Sequence, residues 1–143
     1  GNMNRGVTII ELLLVVAIIS TLGILSASFY ARFLTQNEVG NTVDRLIGSF
    51  RKAQVYSMMG KQNGTWGVQY TAATNKITLY LTGNAAFDEN FTVNNNISIS
   101  GFTDISFAKV TGLPTPSGPT TITITGGNNS KSITVNSQGV VSR

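Results

Sequence analysis

Few residues in this chain could do chemistry, and the missing types matter as much as those present. There is no histidine and no cysteine. That removes the commonest general base, the commonest nitrogen ligand for metals, and any thiolate nucleophile or zinc site. Six carboxylates remain among 143 residues. Asp88 and Glu89 are adjacent, following Phe87. A calcium site needs more oxygen ligands spaced through one loop, so the pair is expected to be solvated, and no metal or other cofactor is expected. No glycine-rich phosphate loop follows a strand-like run. With no catalytic constellation assembled, the chain is not expected to be an enzyme. Among its ten Lys and Arg residues, Arg51, Lys52, Lys61, Lys131 and Arg143 are candidates for contacting nucleic-acid phosphates if folding gathers them. Only Arg51 and Lys52 are neighbours, whereas a nucleic-acid footprint is normally clustered. A scattered, solvated basic surface is the simpler expectation for a net charge of +4.

The group that stands out is Glu11. It lies four residues into the apolar run that begins Val7-Thr8-Ile9-Ile10. From Leu12 to Ala31 there is no charge and no proline, a span of 20 residues. As a helix that span covers about 30 Å, the thickness of a bilayer's hydrocarbon core. A carboxylate at the edge of such a helix costs a few kcal/mol on insertion scales, unless it rests at the interface in contact with water. Physics alone leaves both readings of Glu11 open. A secretory signal peptide would carry a shorter apolar core. A plain signal anchor, with Arg5 retained inside the cell, satisfies the positive-inside rule.

The stretch Arg5-Gly6-Val7-Thr8-Ile9-Ile10-Glu11-Leu12 resembles the prepilin cleavage and methylation motif of type IV pilins and type II secretion pseudopilins. The resemblance implies that a prepilin peptidase cuts after Gly6. Val7 becomes the N-methylated first residue, in place of the family's usual Phe or Met, and Glu11 becomes the fifth mature residue. It also implies a single-pass inner-membrane precursor, with its globular part outside the cytoplasm, that later joins a surface or periplasmic filament. Its partners would then be the membrane, the peptidase and other pilin subunits. Cleavage would create an α-amino group at Val7, which the Glu11 of a neighbouring subunit could neutralise. An unpaired buried charge is strongly penalised, so Glu11 is expected to set filament register.

The elements that must position these groups follow from periodicity. Phe29, Phe33, Val39, Val43, Leu46, Ile47, Phe50, Ala53 and Val55 recur at steps of mostly three and four, with charged residues filling the other faces,. The pattern predicts that the helix continues to about Met59 and is ended by Gly60 and Gly64. Beyond Gly64 the period becomes two, predicting strands over 65–70, 76–82, 97–100, 104–110, 120–125, 131–136 and 139–142. Turns are expected at Asn63-Gly64, Gly83-Asn84 and Gly126-Gly127-Asn128-Asn129, and a proline-bearing loop over 112–119. The expected fold is α+β, a long N-terminal helix against an antiparallel sheet. It divides into the end of a leader (1–6), a transmembrane and filament-core helix (7–31), its amphipathic continuation and turn (32–64), and a β-rich globular domain (65–143).

Thr65-Trp66-Gly67-Val68 after the helix, and the terminal hairpin Ser132 to Val141, resemble GspH/FimT-type minor pilins and pseudopilins. Trp66 is expected to be a core anchor. The function this implies is that of a structural subunit, a minor pilin or pseudopilin. The alternatives are the major pilin, or a minor pilin that binds DNA during uptake.

Overall fold

A computed structural model describes Gly6 and residues 8–143 of the chain. One helix, α1, spans Ile9–Met59. The chain divides into two compact units, one ending at Leu34 and the other running from Thr35 to Arg143.

The first unit is helical from Ile9 onward, and every described side chain from Thr8 to Leu34 is exposed. Two hydroxyls in this apolar stretch turn back onto their own backbone. Thr21 Oγ1 donates to the Ala17 carbonyl at 2.8 Å and Ser28 Oγ to that of Ile24 at 3.4 Å. Such bonds lessen what these two hydroxyls need from water, which suits a helix with apolar surroundings.

The second unit is built on the C-terminal part of α1. Val39, Val43, Leu46, Ile47, Phe50, Ala53 and Ser57 are buried, and their spacing of three, four and seven lines one helix face. The helix stops where Gly60 takes φ 64, a left-handed conformation that costs glycine no Cβ clash. A 3-10 turn, Lys61–Asn63, follows.

Nine strands form two antiparallel sheets among the described residues: β1 Trp66–Thr71, β2 Lys76–Leu81, β3 Asn84–Thr92, β4 Ile97–Ser100, β5 Asp104–Phe107, β6 Pro114–Thr115, β7 Thr120–Gly126, β8 Asn129–Val135 and β9 Val141–Ser142. The first sheet has the order β3-β2-β1-β5-β6 and the second β4-β7-β8-β9. Trp66 lies opposite Leu81 on one side and Phe107 on the other, and Ile124 pairs with Ile99 and Lys131. The inward residues of both sheets and the helix face form one core, in which Trp66, Phe50, Phe107 and Leu46 are among the largest fully buried side chains.

The fold class is therefore α+β as expected, with four differences in detail. The single sheet is two. The segment after Gly83 is a nine-residue strand, and Pro114–Thr115 in the proline loop pairs with Ser106 and Phe107. The strand beginning at Asp104 ends at Phe107, short of the expected Val110, which takes φ 70.

Asn75 joins the two sheets. Its backbone sits at φ 50 in the β1–β2 turn, a conformation asparagine tolerates better than most residues. Its side-chain amide reaches the carbonyls of Val93, Asn94 and Ile97 at 2.9–3.1 Å, and its carbonyl oxygen accepts from the Tyr70 hydroxyl at 2.6 Å. One side chain thus satisfies most of the turn that leads from β3 into β4.

Candidate functional site

The start of α1 has a defined cap. Thr8 precedes the first helical residue, and its Oγ1 accepts a hydrogen bond from the Glu11 backbone N–H at 3.1 Å, while its carbonyl takes the Leu12 N–H at 3.0 Å. Thr8 and Glu11 have the Thr-x-x-Glu spacing of a capping box, and the half of it made by Thr8 is formed,. The carboxylate also stands in the first turn, where the helix dipole favours negative charge. Glu11 thus has a local reason to be present in addition to any contact between subunits. The sequence signal for this cap is the three-residue step from Thr8 to Glu11,. Gly6 is exposed, while Val7, the expected first mature residue, lies outside the described residues. Beyond the cap, α1 contains a stretch long and apolar enough to cross a membrane.

In the globular unit, the junction of α1 with β1 is tied by Ser57 and Trp66. Ser57 Oγ, fully buried, accepts the Trp66 N–H at 2.8 Å and donates to the Trp66 carbonyl at 3.3 Å. The indole Nε1 donates to the Lys61 carbonyl at 3.0 Å. Tyr56 and Phe87 meet the indole edge-on, at 5.0 and 6.3 Å between ring centroids. Trp66 is 2% exposed and is a core anchor, as expected.

Next to it, Gly67 is required by a close approach. A Cβ there would lie 2.7 Å from the Tyr80 hydroxyl and 2.9 Å from the Ile105 carbonyl. Tyr80 crosses this gap to donate a 2.5 Å hydrogen bond to Asp104 Oδ1. Burial first, then the hydrogen bond and the charge of Asp104, push the phenol above the ordinary tyrosine range. An unfolded tyrosine titrates near pH ~10. Because the folded value is raised, the stability contributed by Tyr80 is complete below that pH and is lost as pH climbs toward the folded value. Tyr80→Phe should therefore reduce the alkaline decline in unfolding free energy above pH ~10, measured by denaturant midpoints at successive pH values. A decline as steep as in the parent protein would assign it to other groups.

The five candidate phosphate-binding residues fall in different places. Lys52 and Lys61 share the Tyr56 ring, at 5.7 and 3.8 Å from its centroid. Lys52 also pairs with Glu89 at 2.9 Å, a hydrogen bond that raises the ammonium above the usual lysine value. Arg143 pairs with Asp44 on the helix, and the Lys131 ammonium lies 3.7 Å from the space a Cβ would fill at Gly40. Gly40 and Tyr56 are about 160° apart around an ideal helix axis, so these two pairs are not brought together. Arg51 is exposed. Asp88 and Glu89 lie side by side on exposed β3, and no group of three metal-ligating acidic residues exists among the described residues.

No family model matches the chain, and no curated protein does. Solved structures do share its fold. The minor pseudopilin EpsH from the type 2 secretion system of Vibrio cholerae superimposes with a TM-score of 0.54 at 11% identity, covering 73% of this chain and 94% of that one. A crystal structure of the same pseudopilin gives 0.53 at 11% identity, covering 75% and 93%.

Proposed function

We propose that this chain is a minor subunit of a type IV pilus or of a type II secretion pseudopilus. It is made as a prepilin, cut by prepilin peptidase between Gly6 and Val7, methylated at Val7, and held in the inner membrane by α1 with its β-rich unit outside the cytoplasm. It then leaves the bilayer to pack α1 among the helices of neighbouring subunits. The observation that carries this reading is the N-terminal helix itself. It is capped at Thr8, has one carboxylate at Glu11, and exposes apolar side chains from Ile9 to Leu34. A simple anchor needs the apolar surface but not the carboxylate. A subunit that exchanges lipid for protein neighbours uses both. The fold shared with a minor pseudopilin supports a minor over a major subunit.

The test is fractionation of cells that carry an epitope-tagged chain. Filaments sheared from the surface, or pseudopili from cells overproducing a secretion system, are expected to contain the chain, and to lack it when the prepilin peptidase is deleted. A chain found only in the membrane fraction, whatever the state of the peptidase, would contradict the proposal.

A further inference from the structure

On the flank of α1 facing the end of the chain, the globular unit carries an apolar surface that its own core does not use. Val55, Met58 and Met59 of the last helical turns, Val110 and Leu113 of the β5–β6 loop, and Val140 before β9 are all exposed. Their backbones are held together. Gln54 Nε2 donates to the carbonyls of Gly112 and Gln138 at 3.1 and 3.0 Å. The Cβ positions of Gly112 and Gly139 abut Met58 Sδ and the Gly112 carbonyl at 2.9 and 2.7 Å. Together these side chains expose on the order of 500 Å², more than scattered surface hydrophobics need, and a large share of the ~800 Å² each partner contributes to a standard interface.

Val110 makes the surface more telling. It has φ 70 and is 69% exposed. A β-branched residue in that conformation is strained. The loop enforces it through a hydrogen bond from the Val110 N–H to the Ser57 carbonyl at 3.1 Å and one from the Gly112 N–H to the Ala108 carbonyl at 2.9 Å. The strain thus holds an apolar side chain out in water, where it contributes nothing to the monomer's core.

The charges around this surface decide what covers it. Those nearest it on the helix and the loops are Arg51, Lys61 and Lys109, all cationic, and Lys52, which is paired with Glu89. Arg51 has no ion-pair partner among the described residues. A second copy of the chain is poorly equipped to match them. Of its carboxylates, Glu89 pairs with Lys52 and Asp44 with Arg143, and Asp104 and Glu38 already accept hydrogen bonds from Tyr80 and Asn94. With a net charge of +4, copies also repel one another.

We infer that the Val55–Met59–Val110–Val140 surface docks a different protein, one presenting an apolar patch rimmed by carboxylates. Resting on the filament reading, we take it to be the globular unit of another subunit. The test places a photoreactive benzophenone side chain at Met59, which is 71% exposed, in the full-length chain in cells. Illumination should yield an adduct with a different subunit, joined at a segment where apolar residues adjoin Asp or Glu. Arg51→Glu and Val110→Asp should each lower its yield by about tenfold, a loss of ~1.4 kcal/mol. Val110→Gly should weaken the adduct while leaving thermal stability unchanged or higher.

Adducts only with a second copy, a partner segment lacking acidic residues, or yields unchanged by all three substitutions overturn the inference. The two proposals fail separately. A chain present in filaments but giving no adduct removes this surface and keeps the filament reading. A chain absent from filaments that still gives the acidic adduct does the reverse. Absence of both removes both.

Discussion

Glu11→Ala and Glu11→Gln subunits should enter the membrane as well as the parent chain and fall out of filaments by roughly a hundredfold. That factor is the ~3 kcal/mol lower bound for leaving one member of a buried charge pair alone. Membrane insertion is untouched because removing a carboxylate only makes the helix more apolar. The structure makes the pair of substitutions more informative than either alone. Glu11 brings a charge, and a side chain at the third position of the Thr-x-x-Glu cap whose Thr8 Oγ1 accepts its backbone N–H,. Glutamine retains the third-position partner of a capping box but not the charge, whereas alanine retains neither. Thr8→Ala does the opposite, removing the cap at about 1 kcal/mol while the charge stays. If the charge sets register, both Glu11 variants fail and Thr8→Ala assembles within about fivefold of normal. Immunoblots of sheared filaments against total membranes measure all three. A defective Thr8→Ala beside a normal Glu11→Gln would reassign Glu11 to capping alone.

The second large effect is on stability. Trp66→Ala should lower the unfolding free energy of the globular unit by about 3–5 kcal/mol, the cost of emptying a large aromatic site. That is a sizeable part of the ~5–15 kcal/mol available to a domain. Several contacts are lost at once: the edge-on packing of Tyr56 and Phe87, the bond to the Lys61 carbonyl, and the seat of the Lys61 ammonium 5.6 Å over the ring. Trp66→Phe keeps most of the volume but loses the indole N–H, and is expected to cost about 1–2 kcal/mol. Circular dichroism through a denaturant titration separates the two, with unchanged slopes showing that the folded state is the same. A Trp66→Ala midpoint within error of the parent's would mean that the site collapses around the hole and that Trp66 is not the anchor.

The helix was the most legible part of the chain. The apolar run from Leu12 to Ala31 has the length of a membrane-spanning helix, the stripe from Val39 to Ala53 has a helical period, and Gly60 marks the stop with a left-handed φ. Strand β3 was not legible. It lies at the edge of its sheet, and only Phe91 among its nine residues is even half-buried, so it shows none of the in-out alternation that reveals a strand. The division into two sheets was hidden for another reason. It depends on pairings between distant segments, β1 with β5 and β4 with β7, and on Asn75, whose three carbonyl acceptors lie 18–22 residues away along the chain. Val110 looked like the end of a strand because valine favours strands, and only the loop's hydrogen bonds override that preference. At the N-terminus the residues of the cap were in plain view. Their geometry required knowing that the helix begins at Ile9.

Prepilin peptidase should cut the chain between Gly6 and Val7. Intact-mass analysis of the chain purified from cells with and without prepilin peptidase tests it most directly. With the peptidase, the mass should correspond to a chain beginning at Val7 and carrying one added methyl group; without it, the chain should retain Gly6 and everything before it. A chain that retains Gly6 in the presence of the active peptidase would contradict the account.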